Sequence, residues 1–320
     1  MNQEEKIEYL NSVISKDSKR FDILPNILYK YREFDDYSFD MLNNSYVFLS
    51  AAEKLDDETE CNVDVSVENL IELNSSNLKR ECVDQILQII KPHTSKENYE
   101  MVRNRIYMMI LPNGTLKNNY LLELNNEIKM IAPDIDSALL INAFANIPEK
   151  LDDPSIKPQI EMMISLALAA KQQIGICSFS ESNNINYMWK KYADNESGYC
   201  IEYDISNYEL KGDILPVIYK RKCERNTNIV VQIVGNFLGA MISSMSNGQI
   251  NADISQYLSL FLTKYAKWKY QKEWRLLGNA NNKVKAPKIK RIIVGKNALS
   301  INLNRIKKYC SNNNIKFEQR

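Results

Sequence analysis

The hydrophobic period changes twice along this chain, and that change restricts its possible folds more than any other feature. Toward both ends the apolar residues fall in short or alternating runs, the signature of strands. Leu28–Arg32 and Tyr46–Leu49 are the early ones. Ile176–Ser180, Tyr199–Tyr203, Ile214–Tyr219, Glu273–Leu277 and Arg291–Val294 are the late ones. Between Val67 and Ala170 the spacing becomes helical, with Val83, Ile86, Leu87 and Ile90 on one stripe and Val102, Ile106, Met109 and Ile110 on another. Leu121, Leu122, Leu124, Ile128 and Ile131 continue the pattern, and a last helix is expected from Pro158 to about Lys171. Breaks fall at Lys91-Pro92, Pro112-Asn-Gly114, Pro133 and Asp152-Asp-Pro154. The economical fold is α+β, with a mixed or antiparallel sheet built by residues 1–65 and 173–320 and a large helical insertion at 66–172. Two more helices, Asn184–Ala193 and an Ile229–Ala266 region broken near Asn247-Gly248, are expected in the C-terminal part. Two sequential domains are the alternative.

Composition narrows the chemistry. A single histidine, His93, excludes multi-histidine metal sites and reads as a surface residue between helices. Only nine glycines occur, in neither of the common phosphate-loop patterns. Six scattered cysteines without a C-x-x-C pair read as reduced thiols, with Cys177 and Cys200 as small buried hydrophobes. The first residues show no secretory pattern, and Ile229–Ile242 is too short and interrupted to span a bilayer, so a cytoplasmic protein without membrane contact is expected.

The net charge of +1 hides an asymmetry. Residues 264–320 hold 16 Lys or Arg and two acids, Glu273 and Glu318, for a net of +14. The other 263 residues hold 25 bases and 38 acids, a net of −13. Internal pairing, a solvated face and an anion-binding surface all fit that distribution.

Alternation sorts the side chains of three strands. Ser178 and Ser180 share a face, Glu273 and Arg275 share a face, and Tyr29 and Tyr31 lie opposite Lys30 and Arg32. Such polar faces either meet solvent or line a cleft. Ile185, Met188, Trp189 and Tyr192 form a helical stripe that serves as core or as a slot for a flat ring. The segment from Lys264 to Arg275 interleaves cations with Trp268, Tyr270 and Trp274, which fits base stacking, pyrophosphate binding or an amphipathic helix end. The acidic run Glu53–Glu60 reads as a solvated loop. A divalent-cation site within Asp56–Glu60 is the less favoured reading, and no metal is expected.

Taken in order, several of these segments resemble the bacterial domain-of-unknown-function family 2971. They include Leu28-Tyr-Lys-Tyr-Arg32, Glu60-Cys61, Ile176-Cys-Ser-Phe-Ser-Glu181, Met188-Trp-Lys-Lys-Tyr192, Gly198-Tyr-Cys-Ile-Glu-Tyr-Asp204, Lys264 with Trp268, Glu273-Trp-Arg275 and Ile292-Ile-Val-Gly295. Where that family usually shows Asn-Asp-Pro, this chain has Asp56-Asp57-Glu58. The same order is similar, more distantly, to DNA-targeting ADP-ribosyltransferase toxins: an early aromatic strand, a strand leading into a Met-aromatic segment, and a late strand bearing Glu.

That second resemblance implies an ADP-ribosyltransferase-like core and NAD as a consumed substrate. Glu273 would steady the cation that develops as the nicotinamide–ribose bond breaks. Ser178 or Ser180 would hold the ribose or support Glu273. Tyr29, Tyr31, Met188, Trp189 and Tyr192 would bound the ligand, and Arg32 and Arg275 would meet its diphosphate. A nucleic acid or a protein would accept the ADP-ribose, in an effector of toxin or phage-defence type. Two readings stay open beside this one. One is a nucleotide-sensing or partner-binding module, with the helical insertion as a surface for a partner or for self-association. The other is a nucleic-acid binder that uses the basic segment.

Overall fold

The computed structural model describes residues 5–6, 24–55, 57, 60–61, 67–88, 91, 94–131, 133, 137–147, 154–220, 225–247 and 255–320. His93, Asp56, Glu58 and Cys223 lie outside them. The chain forms two compact units, one from residues 1–61, 170–223 and 261–320, the other from 62–169 and 224–260. The expected boundaries at 66–172 and 173–320 do not set the second helical stretch, 224–260, apart.

The first unit is a mixed α+β body around a mostly antiparallel sheet. Its strands are β1 (Ile27–Arg32), β2 (Tyr46–Ala51), β3 (Ile174–Ser180), β4 (Tyr199–Asp204), β5 (Ile214–Pro216), β8 (Glu273–Asn279), β9 (Asn282–Lys285), β10 (Lys288–Val294) and β11 (Lys316–Gln319). The order is β11-β10-β4-β1-β3-β2-β9, with β8 also on β3 and β5 on β8. Two short strands, β6 (Ile218–Lys220) and β7 (Thr263–Tyr265), pair in parallel beside it. The single strand expected over Ile214–Tyr219 is therefore two. Proline cannot continue a central ladder, and the break comes directly after Pro216, at Val217.

Helix α1 (Asp36–Asn43) starts at a reciprocal cap: Asp35 accepts from the Ser38 amide, and Ser38 Oγ accepts from the Asp35 amide. Helix α7 (Asn186–Tyr192) follows β3, and α10 (Ser300–Asn312) joins β10 to its parallel neighbour β11. β4 lies between β10 and β1 and buries Tyr199 through Tyr203. Cys177 and Cys200 are buried, as are Cys61, Cys82 and Cys310.

β3 is the hub. β8 runs along its whole length, Ile174 opposite Asn279 through to Ser180 opposite Glu273. Its other edge is shared: β2 pairs at Ser50↔Ile176 and Ala51↔Gly175, while β1 pairs at Tyr29↔Ser180. Between these contacts β1 and β2 fork apart, so residues 177–179 face an opening. The Lys30 ammonium spans it and donates to the Ser178 carbonyl at 2.8 Å, where a neighbouring strand would otherwise supply an amide.

Gly198, at the entry to β4, seats the far end of β1. A Cβ there would lie 2.2 Å from the Arg32 carbonyl oxygen and 2.9 Å from Ala193 Cα, both backbone atoms. Gly198→Ala should therefore cost about 2 kcal/mol by overpacking. Chemical denaturation measures it, and a loss within error would show that the backbone yields there.

The second unit is helical. It comprises α2 (Val67–Leu87), α3 (Lys96–Met109), α4 (Tyr120–Ile131), α5 (Ser137–Ala145), most of α6 (Lys157–Gln173), α8 (Arg225–Asn247) and the first part of α9 (Ser255–Leu262). α2 and α8 pack closely because Gly235 leaves room for the Leu78 carbonyl and Glu81. Arg103 of α3 binds both carboxylate oxygens of Asp84 on α2, at 2.7 and 2.8 Å. The helix expected to run on to Ala266 stops at Leu262. Residues 263–265 pair as β7, and Ala266–Gln271 forms a 3₁₀ turn, so the amphipathic helix end considered for the basic segment is absent. No described helix is long and apolar enough to cross a membrane.

Candidate functional site

A cleft of about 220 Å³ opens at the fork between β1, β2 and β3. Tyr29, Tyr31, Arg32, Ser178, Ser180, Met188, Tyr192, Glu273 and Arg275 all line it. Strand register explains the convergence. Tyr29, Ser180 and Glu273 are successive cross-strand partners, and Ser178 lies opposite Arg275, so these side chains share one face of the sheet.

Glu273 opens β8. Lys272 before it takes a left-handed conformation, φ 47°, and the Glu273 amide donates to the Tyr219 hydroxyl at 2.8 Å. One carboxylate oxygen accepts from Ser178 Oγ and from Arg275 Nε, each at 2.7 Å. The other accepts from Lys264 Nζ at 2.9 Å. Burial pushes this carboxyl's pKa up, but the charges of Arg275 and Lys264, with the Arg275 and Ser178 hydrogen bonds, outweigh burial and hold it well below the carboxylate range. Burial likewise lowers the Lys264 pKa, and the neighbouring carboxylates more than restore it, so the ammonium ends above its ordinary value.

A depressed carboxyl contributes stability that is complete above its unfolded pKa of ~4.3 and is lost as pH falls through the folded value. Wild type should therefore lose more stability than Glu273→Gln as the pH drops below ~4.3. Denaturation midpoints taken across that range decide it, and parallel curves would contradict the pairing.

Arg275 is fully buried. It was expected to meet a diphosphate, but it gives one bond from each of its three nitrogens to Glu273, Glu60 and the Phe261 carbonyl. It braces the carboxylate instead. Ser180 is buried and donates to the Gln271 carbonyl at 2.8 Å, which fixes the chain ahead of Glu273 and leaves the supporting hydroxyl to Ser178. Trp189 does not line the cleft. Its indole is fully buried, donates to the Asn183 carbonyl at 2.7 Å and meets the Tyr31 ring edge-on at 5.4 Å. It is the core residue of the α7 stripe, while Met188 and Tyr192 on either side reach the cleft. Tyr31 is held by its hydroxyl, which donates to the Ser182 carbonyl at 2.8 Å.

Arg32 differs from Arg275 in having no carboxylate partner among the described residues. Among the described residues its buried Nε has no hydrogen-bond partner, and one terminal nitrogen donates to Met41 Sδ at 3.5 Å. Lys30, Lys54, Glu60 and Lys264 also line the cleft and were not singled out as site residues from the sequence. With Arg32 and Arg275 against Glu60 and Glu273, the lining carries five cations and two anions. Lys30 was readable from its alternation with Arg32, and Glu60 from its place in the Glu60-Cys61 pair. The solvated-loop reading of the acidic run fails at its end, because Glu60 is buried between Lys264 and Arg275. Asp57 accepts from the Trp268 indole at 2.6 Å.

Half of the basic segment's cations are matched by the protein's own acids. Among the described residues, eight of its sixteen cations pair with acids: Lys264, Lys267, Arg275, Lys283, Lys285, Arg291, Lys296 and Arg320. Lys269 and Lys272 are exposed beside Trp268 and Tyr270.

Residues 188–276 match the family described as "Protein of unknown function (DUF2971)". The matched stretch contains Met188, Tyr192, Lys264, Glu273 and Arg275, while Arg32 and Ser178 come from outside it. No curated protein matches the chain, and no solved structure does.

Proposed function

We propose that the cleft binds NAD and breaks its nicotinamide–ribose bond, as an ADP-ribosyltransferase-like effector of toxin or phage-defence type. Nicotinamide leaves with the bonding electron pair. An acceptor hydroxyl, base or water then adds to the ribose carbon and gives up its proton. The transition state carries positive charge on the sugar, which an ionised carboxylate stabilises. Glu273 has that charge state, Ser178 orients it, and Lys30 and Arg32 offer cations to a diphosphate. Tyr29, Met188 and Tyr192 supply apolar surface for a flat ring. The observation that carries the reading is the meeting of Arg32, Ser178 and Glu273, from three distant stretches of chain, in one forked cleft.

Nicotinamide release from NAD by the purified protein, with and without cell extract, tests the proposal. Expression of wild type, but not of Glu273→Gln, should also deplete cellular NAD. Absence of release under all these conditions refutes the reaction.

One feature favours a second reading, a nucleotide-binding module without turnover. Both oxygens of Glu273 already have cationic partners. Thermal stabilisation by NAD or ADP with no nicotinamide release would select that reading.

A further inference from the structure

Glu60 ends the acidic run and completes a ring of alternating charge. Its carboxylate accepts from Lys264 at 2.7 Å and from Arg275. Lys264 and Arg275 each also bind Glu273, at 2.9 and 2.7 Å. All four side chains are at least nine-tenths buried, and the cluster is neutral. Both cations are thus shared equally between a carboxylate that meets the cleft through Ser178 and one at the end of the segment after β2.

We infer that Glu60 is a positioning residue for Glu273: by drawing one bond from each cation, it leaves Glu273 only partly neutralised and able to act on a ligand. This rests on the reading of Glu273 as the site carboxylate. Without the Glu60 charge, Lys264 and Arg275 would both act on Glu273 alone, and the cluster would change from neutral to +1. Two effects of opposite sense follow. The carboxylate is quenched, so it stabilises a developing cation less. The cleft becomes more positive, so an anionic ligand is held more tightly. Loss of packing would instead weaken both.

Wild type, Glu60→Gln, Glu60→Asp and the pair Glu60→Gln/Lys264→Met test this, with ADP as binding probe and NAD as substrate. Glu60→Gln should bind ADP roughly tenfold more tightly at low salt, an advantage that shrinks at high salt. Its nicotinamide release should fall at least about tenfold. The double variant restores neutrality and should return both quantities toward wild type, a coupling that separate structural defects would not show. Glu60→Asp, which keeps the charge, should retain wild-type ADP affinity.

Weaker ADP binding together with lower turnover in Glu60→Gln, unrelieved in the double variant, would overturn the inference while leaving the reaction standing. Should Glu60→Gln fail to fold, the double and Asp variants still decide: ADP affinity far from wild type in either, although both keep the cluster neutral, would overturn the inference. Wild type that binds ADP but releases no nicotinamide refutes the reaction, and the ADP affinities then judge Glu60 alone. Wild type that does not bind ADP overturns both.

Discussion

Arg275→Met should lower stability by about 3–5 kcal/mol, the usual cost of removing one partner from a buried ion cluster. Arg275 is inaccessible to solvent and binds three groups at once: Glu60, Glu273 and the Phe261 carbonyl. Its removal leaves two buried carboxylates with Lys264 as their shared cation, and takes one hydrogen bond from the Phe261 carbonyl. One carboxylate must then take up a proton, so the deficit should shrink as the pH is lowered toward 5. Arg275→Lys should recover little, because an ammonium cannot reach three acceptors in the plane a guanidinium spans. Urea denaturation at two pH values measures both effects. A loss below about 1 kcal/mol would mean that water, not Arg275, compensates the carboxylates.

Glu273→Gln should reduce nicotinamide release at least about 100-fold, in line with removal of one preorganised electrostatic group from a transition state. The amide oxygen can still accept from Ser178 and Arg275, so the local geometry has a replacement for the lost carboxylate contacts. Only the charge is gone. ADP should therefore bind as well as to wild type or better, which separates loss of chemistry from loss of the cleft. Ser178→Ala removes a hydrogen bond and no charge, and its effect should be the smaller of the two. Equal losses in both variants would assign the serine a direct part in the reaction.

Much of this site is legible from strand alternation. Ser178, Glu273 and Arg275 each stand on a polar face, and cross-strand register brings those faces together. The family resemblance added the order of the pieces. What alternation could not give was the use of each group. Arg275 and Arg32 look alike as sequence, yet one is fully buried among carboxylates and the other has none among the described residues. That difference depends on Glu60, 215 residues away from Arg275 and in a run whose composition favours solvent. Trp189 belongs to the same stripe as Met188 and Tyr192, but the single-residue step of about 100° from Met188 points it at Tyr31 and not into the opening. The short strands β9 and β11 went unread because few residues carry each pattern, and their place depends on β2 and β10.

The fork at β3 also bears on how the protein acquires its site. Lys30 and Ser178 are 148 residues apart, Ser178 and Glu273 95, and Glu60 and Arg275 215. Contacts at such separations require large loops to close before they are rewarded, so they belong among the late events of folding. During synthesis, β1, β2 and β3 leave the ribosome well before the segment that carries Lys264, Glu273 and Arg275. Until that segment arrives, the nascent chain holds the walls of a cleft without its charged floor.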